Sequence, residues 1–240
     1  MHKDSATENL SSSRITVKEF FQLLGISFIV QLKNFVEFLR VAFRYYSNWN
    51  FCKIDLSLLL IYLFNSPYGI SKKFLQKRGA KDIYAYGETP LSTCEEIAKK
   101  CQLSATDTLF ELGCGRGRSS FWLNAFVKCN VVGIDYVPEF IARANDIKAR
   151  FTVSGVTFRQ EDFLATSLDG ATAIYLYGTN LSDEDIVALV KRFEKLPAGT
   201  KIITISFPLT DYTSVPFLKV MKRFPVKFPW GETDAYLHMI

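Results

Sequence analysis

The sequence predicts an α/β fold: a mainly parallel seven-stranded sheet with helices on both faces, and a helical extension ahead of it. Three observations predict it. From residue 108 onward, short apolar β-prone runs alternate with stretches of helical periodicity, the pattern of strands joined by crossover helices. A glycine-rich turn, Gly113-Cys114-Gly115-Arg116-Gly117, stands between the first such strand and the first such helix. Residues 16–46 carry apolar side chains at helical spacing with no strand-like alternation.

Taken in order, residues 1–14 are polar and serine-rich and read as a disordered tail. Residues 15–82 read as a helical extension opened by one long helix from Thr16 to Tyr46. Phe21, Leu24, Phe28, Leu32, Phe35, Leu39 and Phe43 make one face of it, widened by Ile29, Val36 and Val41. Its longest apolar run, Leu23 to Val30, is short of the about 20 residues that span a bilayer, and Ile54–Phe64 is as short and contains Asp55. The apolar part begins late and lacks a small-residue cleavage site, so neither a signal peptide nor an integral membrane protein is expected.

Charge is concentrated in this extension. The 240-residue chain carries a net +5, while Lys33 to Lys81 holds nine basic residues against Glu37 and Asp55. An apolar helical face beside a basic patch fits either a cap on the sheet with solvated lysines and arginines, or an arm for an anionic membrane surface or acidic partner. The width of the face favours the cap. Nucleic acid is the weaker partner, because no recognition module accompanies the charge.

Residues 83–240 form the α/β domain. Leu91, Cys94, Ile97, Ala98 and Cys101 share a helical face, which makes both cysteines core residues. Thr108-Leu109-Phe110 is the first strand, and Phe121, Trp122, Ala125 and Phe126 mark the helix after the glycine turn. Val131–Asp135, Val156–Gln160 and Ala173–Asn180 are the next three strands, the last too apolar to be half exposed. Ser182-x-x-Asp185 starts a helix that buries Ile186, Leu189, Val190 and Phe193 and ends at Pro197-Ala198-Gly199. Lys201–Phe207 is the fifth strand. Val226–Trp230 and Ala235–Ile240, flanking Gly231-Glu232, close the sheet as an antiparallel hairpin.

A glycine turn between strand and helix lets backbone N–H groups approach a ligand closely. Eighteen residues past Gly117, the second strand ends in Asp135, where a βαβ unit sets a carboxylate against ribose hydroxyls. The dinucleotide pattern Gly-x-Gly-x-x-Gly fails here, since Arg118 occupies its third glycine position. Glu111, just ahead of the loop, would repel a pyrophosphate and suits a cation. S-adenosylmethionine, with a sulfonium, an α-ammonium and no phosphate, matches that charge pattern.

On these residues the sequence resembles the class I methyltransferases, whose first motif is similar to Glu111–Gly117 with Asp135 closing the second strand. The resemblance covers roughly residues 83–240 and implies a Rossmann-like seven-stranded methyltransferase sheet. It implies cofactor contacts from Glu111, Gly113, Cys114, Gly115, Gly117, Asp135 and Tyr136. It also places Asp162 at the adenine amine and Phe163 beside it through its backbone. Tyr86-Gly87-Glu88-Thr89 resembles a segment of the DOT1-type histone-lysine methyltransferases, which implies that Tyr86, Glu88 and Thr89 meet the methionine end. The fourth strand departs from those enzymes: Tyr177-Gly178-Thr179-Asn180 stands where they carry an Asn-rich acceptor motif. Tyr177, Thr179 and Asn180 are the acceptor-side residues expected here, Tyr177 touching the cofactor as well.

The expected function is S-adenosylmethionine-dependent methyl transfer, most plausibly to a protein lysine or other side-chain nitrogen. Small-molecule or lipid methylation is the alternative among enzymes, and a cofactor- or partner-binding module without turnover is the alternative outside them. No metal site is expected, since there is no Cys-x-x-Cys pair and His2 and His238 lie near the termini. Five cysteines without a secretory signal fit a reducing cytoplasm, with peripheral membrane association as the variant reading.

Overall fold

Side chains alternate across each strand of the sheet, and that alternation divides the core of this computed structural model in two. Residues 16–179, 181–213 and 216–240 are described, so the expected tail and Asn180 lie outside the described residues. Four helices lead in: α1 (Val17–Tyr45), α2 (Trp49–Ile61), α3 (Pro67–Lys77) and α4 (Leu91–Lys100). Then follow β1 (Thr108–Leu112), α5 (Arg118–Trp122) running on into a π-helical turn, β2 (Asn130–Asp135), α6 (Pro138–Arg150) and β3 (Val156–Gln160). The chain ends with β4 (Ala173–Leu176), α7 (Asp183–Phe193), β5 (Lys201–Ile205), β6 (Lys219–Phe228) and β7 (Gly231–Met239).

The seven strands lie in the order β3-β2-β1-β4-β5-β7-β6, with β7 inserted antiparallel between β5 and β6 and the other six running in one direction. Leu109, Val131, Ala173 and Ile203 face one side with α4, α5 and α6; Phe110, Val132, Ile174 and Ile202 face the other with Ile186, Leu189 and Phe193 of α7. Ser182 caps α7 by accepting the Asp185 N–H, and acids in the first turn with basic residues in the last suit its dipole. Two expectations shift. The fourth strand stops at Leu176, because the chain turns there and the Gly178 carbonyl accepts the Leu181 N–H. The hairpin turn falls at Pro229-Trp230, since Gly231 and Glu232 already pair with Phe228 and Lys227.

The N-terminal extension departs most from expectation. It packs outside α4, α5 and α6 as a further layer, not on the sheet: Phe51, Ile54 and Leu58 of α2 are buried with Trp122 and Phe140. On α1 the docked side is Val41 and Tyr45, both buried, with Glu37 accepting the backbone N–H and hydroxyl of Ser92. The face expected to be covered points outward instead. Phe28, Phe35 and Phe43 are 70%, 57% and 88% exposed, and Leu24, Leu32 and Leu39 are exposed with them. At about 100° per residue the two faces are on opposite sides of the helix. Among the described residues no helix is long and apolar enough to cross a membrane.

Candidate functional site

The parallel strands deliver their C-terminal ends to one edge of the sheet, where ligands of open α/β folds bind. The glycine loop after β1 is held there by backbone bonds. The N–H groups of Gly113 and Cys114 both donate to the Ile134 carbonyl, at 2.8 and 2.9 Å. Asp135 fixes the loop from the next strand: its two carboxylate oxygens accept the N–H of Gly115 at 2.8 Å and that of Val137 at 2.9 Å. Burial pushes the Asp135 carboxyl up, and these backbone donors oppose the rise.

Two glycines of the loop are required for different reasons. Gly113 has φ +84° and faces open space, so a Cβ there would stand in the cradle itself. Gly117 has φ +77°, and a Cβ would meet the Phe158 ring at 2.5 Å, so its role is close seating of α5 on β3. Cys114 is buried and burial pushes its thiol well up, so it lines the cavity as a neutral thiol.

The segment before α4 folds back over this loop. The Tyr86 ring lies against Gly115, close enough that a Cβ there would approach it to 3.0 Å. The Tyr86 hydroxyl donates to Glu88 at 2.6 Å, and Glu88 pairs with Arg116 at 2.7 Å. Burial works against ionisation of Glu88, but the Arg116 guanidinium and the Tyr86 hydroxyl together hold its carboxyl below the usual range. Nε of Arg116 is buried without a hydrogen-bond partner among the described residues. Thr89 and Tyr175 share a 2.6 Å hydroxyl contact, and Gly87 lies so near the Tyr177 ring that a Cβ would come to 2.7 Å of it.

Glu111 projects from β1 into the same cavity. Both of its carboxylate oxygens accept hydroxyls, from Ser119 and Ser120 in the first turn of α5. Among the described residues it has no cationic partner. Burial raises its carboxyl to about 7, against the pull of the two serines. Arg118, which also lines the cavity, pairs with Asp55 on α2 at 2.6 and 2.8 Å.

The cavity opens into a larger cleft of about 690 Å³ between α1 and the β6–β7 hairpin. Leu32, Val36 and Glu37 of α1 face Phe228, Pro229 and Glu232 of the hairpin across it, with Glu88 and Thr89 at its inner end. Tyr177, Phe228 and Trp230 form a continuous aromatic stack beside it: ring centroids 5.0 and 5.3 Å apart, planes 2° and 18° apart. Trp230 donates its indole N–H to the Tyr177 hydroxyl at 2.9 Å, fixing that ring.

The cavity thus brings together Tyr86, Glu88, Thr89, Glu111, Gly113, Cys114, Gly115 and Tyr177 of the residues expected from sequence. Asp135 ends β2 with Tyr136 directly after it, and Asp162 and Phe163 follow β3, on the same edge but outside its lining. Tyr136 packs edge-on to Phe74 of α3. Asp162 accepts the Leu164 N–H in a local turn, and the Phe163 carbonyl accepts from Arg192. Thr179 is exposed at the turn after β4 and lines neither cavity nor cleft, while Asn180 lies outside the described residues. Arg116, Ser119 and Tyr175 also line the cavity. Tyr175 was findable from register, since it pairs directly with Glu111.

Residues 103–172 match a family model described as a methyltransferase domain. That stretch takes in the glycine loop and Asp135. No curated protein matches it. Solved structures extend the likeness at the level of fold. An RNA methyltransferase from Salinibacter ruber, in complex with S-adenosyl-L-homocysteine, aligns with a TM-score of 0.52 and 23% identity over 64% of this chain and 94% of its own. A geranyl diphosphate C-methyltransferase from Streptomyces coelicolor, in complex with Mg2+, geranyl diphosphate and S-adenosyl-L-homocysteine, aligns with a TM-score of 0.53 and 14% identity, over 62% and 78%. The Rossmann-like sheet is therefore shared with both.

Proposed function

We propose that this chain binds S-adenosylmethionine at the glycine loop and methylates a protein, at lysine or another side-chain nitrogen. The observation that carries the reading is a pair of incompletely matched buried groups lining one cavity: the Glu111 carboxyl, which has only hydroxyl partners, and Arg116 Nε, which has none. The amino-acid end of the cofactor carries an ammonium that suits the Glu111 carboxyl and a carboxylate that can accept the Arg116 Nε–H left over beside the Glu88 pair. Gly113 offers an open backbone cradle, and the Asp135 oxygens, each with a second lone pair, suit a ribose diol. The residues present fit the cofactor, and ligands of the two similar structures support it.

When bound, S-adenosylmethionine supplies an electrophilic methyl group on a sulfonium. The protein's contribution is orientation, because in-line displacement needs donor and acceptor aligned more than it needs a strong base. Tyr86 and Glu88 close over the loop and keep water from it; the Tyr177–Phe228–Trp230 stack gives the acceptor a flat wall. Glu232 gives the cleft a carboxylate for a cationic side chain, whereas Glu37 and Glu88 there are already paired with Arg40 and Arg116. The position of Tyr86–Thr89 against the loop supports the likeness of this segment to that of DOT1-type enzymes.

A second reading has its own observation. Leu32, Val36, Phe38, Leu59 and Phe228 line much of the cleft, a surface suited to a lipid or small apolar acceptor. Five buried free thiols support a reducing, cytoplasmic setting. Incubation with methyl-labelled S-adenosylmethionine and lysate, then separation of protein, lipid and RNA, tests these readings. Label in protein, recovered after hydrolysis as methyl-lysine or another N-methylated side chain, is the expected result. Label in lipid or RNA overturns the acceptor, and cofactor binding without release of S-adenosylhomocysteine makes the protein a binding module.

A further inference from the structure

We propose that the outward face of α1 docks on an anionic bilayer and thereby brings the cleft to acceptors held at the membrane surface. Leu24, Phe28, Leu32, Phe35, Leu39 and Phe43 fall within roughly a third of the helix circumference, and every one is exposed. Solvent-facing aromatic and aliphatic residues in an unbroken stripe mark an interaction surface, not a random scatter of exposed apolar groups.

Charge selects the occupant. Lys33, Arg40 and Arg44 are exposed along one edge of the stripe, between it and the docked side of α1. That is where basic side chains lie when an interfacial helix sets its apolar face among acyl chains and reaches for headgroups. Arg40 meets Glu37 and Arg44 meets Glu95 at the surface, pairs too weak to withhold either guanidinium from a phosphate-rich plane. Across residues 33–81 the nine basic residues outnumber two acids, Glu37, which accepts two bonds from Ser92, and Asp55, which is held by Arg118 and Tyr46. A second copy of the chain would bring the same positive field and be repelled.

The stripe is continuous with the cleft. Leu32 and Val36 belong to both, so a helix lying in the interface opens the cleft toward the headgroup layer. Phe64, 96% exposed with Leu63 beside it between α2 and α3, is a further apolar tip in the basic segment.

The test is sedimentation of the full chain with phosphatidylcholine vesicles, with and without phosphatidylserine, against a Phe28→Gln/Phe35→Gln variant. Neither phenylalanine lines the cleft or packs in the core. The wild type should pellet with the mixed vesicles, be released by salt, and remain in solution with phosphatidylcholine alone. The variant should bind the mixed vesicles roughly a hundredfold more weakly, about tenfold for each ring removed from the interface. S-adenosylmethionine affinity, measured on the same samples, should be equal in the two, which separates loss of docking from loss of the cofactor site. Three results overturn the proposal: no vesicle binding by the wild type, equal binding by the variant, or a wild-type dimer that the variant dissociates, which would make the stripe a contact between copies.

Discussion

Asp55 and Arg118 form a buried two-point ion pair, 2.6 and 2.8 Å, that ties helix α2 to the first residue of α5 directly after the glycine loop. The carboxylate is fully buried and takes a third bond from the Tyr46 hydroxyl at 2.9 Å. The arginine that breaks the dinucleotide pattern therefore has a structural partner. It fastens the N-terminal layer to the helix that positions Ser119 and Ser120 on Glu111, and so couples the extension to the cofactor cavity.

Removing one partner leaves the other charge buried and unpaired, which costs about 3–5 kcal/mol. Asp55→Asn and Arg118→Met should each lower unfolding free energy toward that range in urea denaturation. The double variant Asp55→Asn/Arg118→Met should be less destabilised than the sum of the single changes. Additive effects would mean that the two residues are energetically independent.

How far this was legible in the sequence differs by element. Strand and helix types through β1–β5 followed from periodicity, because a parallel sheet covered on both faces demands continuous apolar strands. The glycine loop and Asp135 were legible because tight turns restrict residue type at fixed spacing. The outward stripe of α1 was misread as a core face, since periodicity reports amphipathicity and not which side is covered. Val41 and Tyr45 dock the helix, but in the sequence Val41 only widened the larger aromatic face. The roles of Arg116 and Arg118 were hidden for another reason: their partners, Glu88 and Asp55, lie 28 and 63 residues away.

Asp135 serves the loop and, in the proposed function, the ribose. Asp135→Asn keeps one acceptor oxygen for the backbone but loses the charge, and should weaken S-adenosylmethionine binding by about 2 kcal/mol, the scale of a charge-assisted hydrogen bond. Asp135→Ala strands the N–H groups of Gly115 and Val137 and should lower stability as well, by about 2 kcal/mol. Calorimetry with parallel denaturation separates the two effects. Unchanged cofactor affinity in both variants would remove Asp135 from the ribose site.

Glu111 sets a pH dependence for cofactor binding. Its carboxyl, raised to about 7 chiefly by burial, is largely neutral below that pH and charged above it. A cationic ligand should therefore bind more tightly as pH rises through about 7, and Glu111→Gln should flatten the profile at the low-pH level. The same shift has the opposite sign for folding. A folded-state value above the ordinary 4.5 stabilises at low pH, and that stability is lost as pH climbs toward 7. Affinity by calorimetry across this window checks the first statement; a flat wild-type profile would count against Glu111 as the ammonium partner.

His238 sets a dependence in the other direction. It lies in β7 opposite Ile202, with no exposed surface. Nε2 accepts the Leu209 N–H at 3.0 Å, so Nδ1 carries the proton and donates to the Ile202 carbonyl at 3.2 Å. Protonation would set a second donor against the Leu209 N–H, and burial lowers the ring to about 4 from 6.5. The unfolded chain takes up its proton first, so the stability from His238 is full above about 6.5 and is lost as pH falls to about 4. A gap of that size corresponds to roughly 3 kcal/mol. His238→Gln keeps one acceptor and one donor without the titration. Urea denaturation across that window should show the wild type losing roughly 3 kcal/mol relative to the variant. Because Glu111 titrates identically in both proteins, the difference isolates the histidine, and parallel pH profiles would show that the ring is not held neutral by its site.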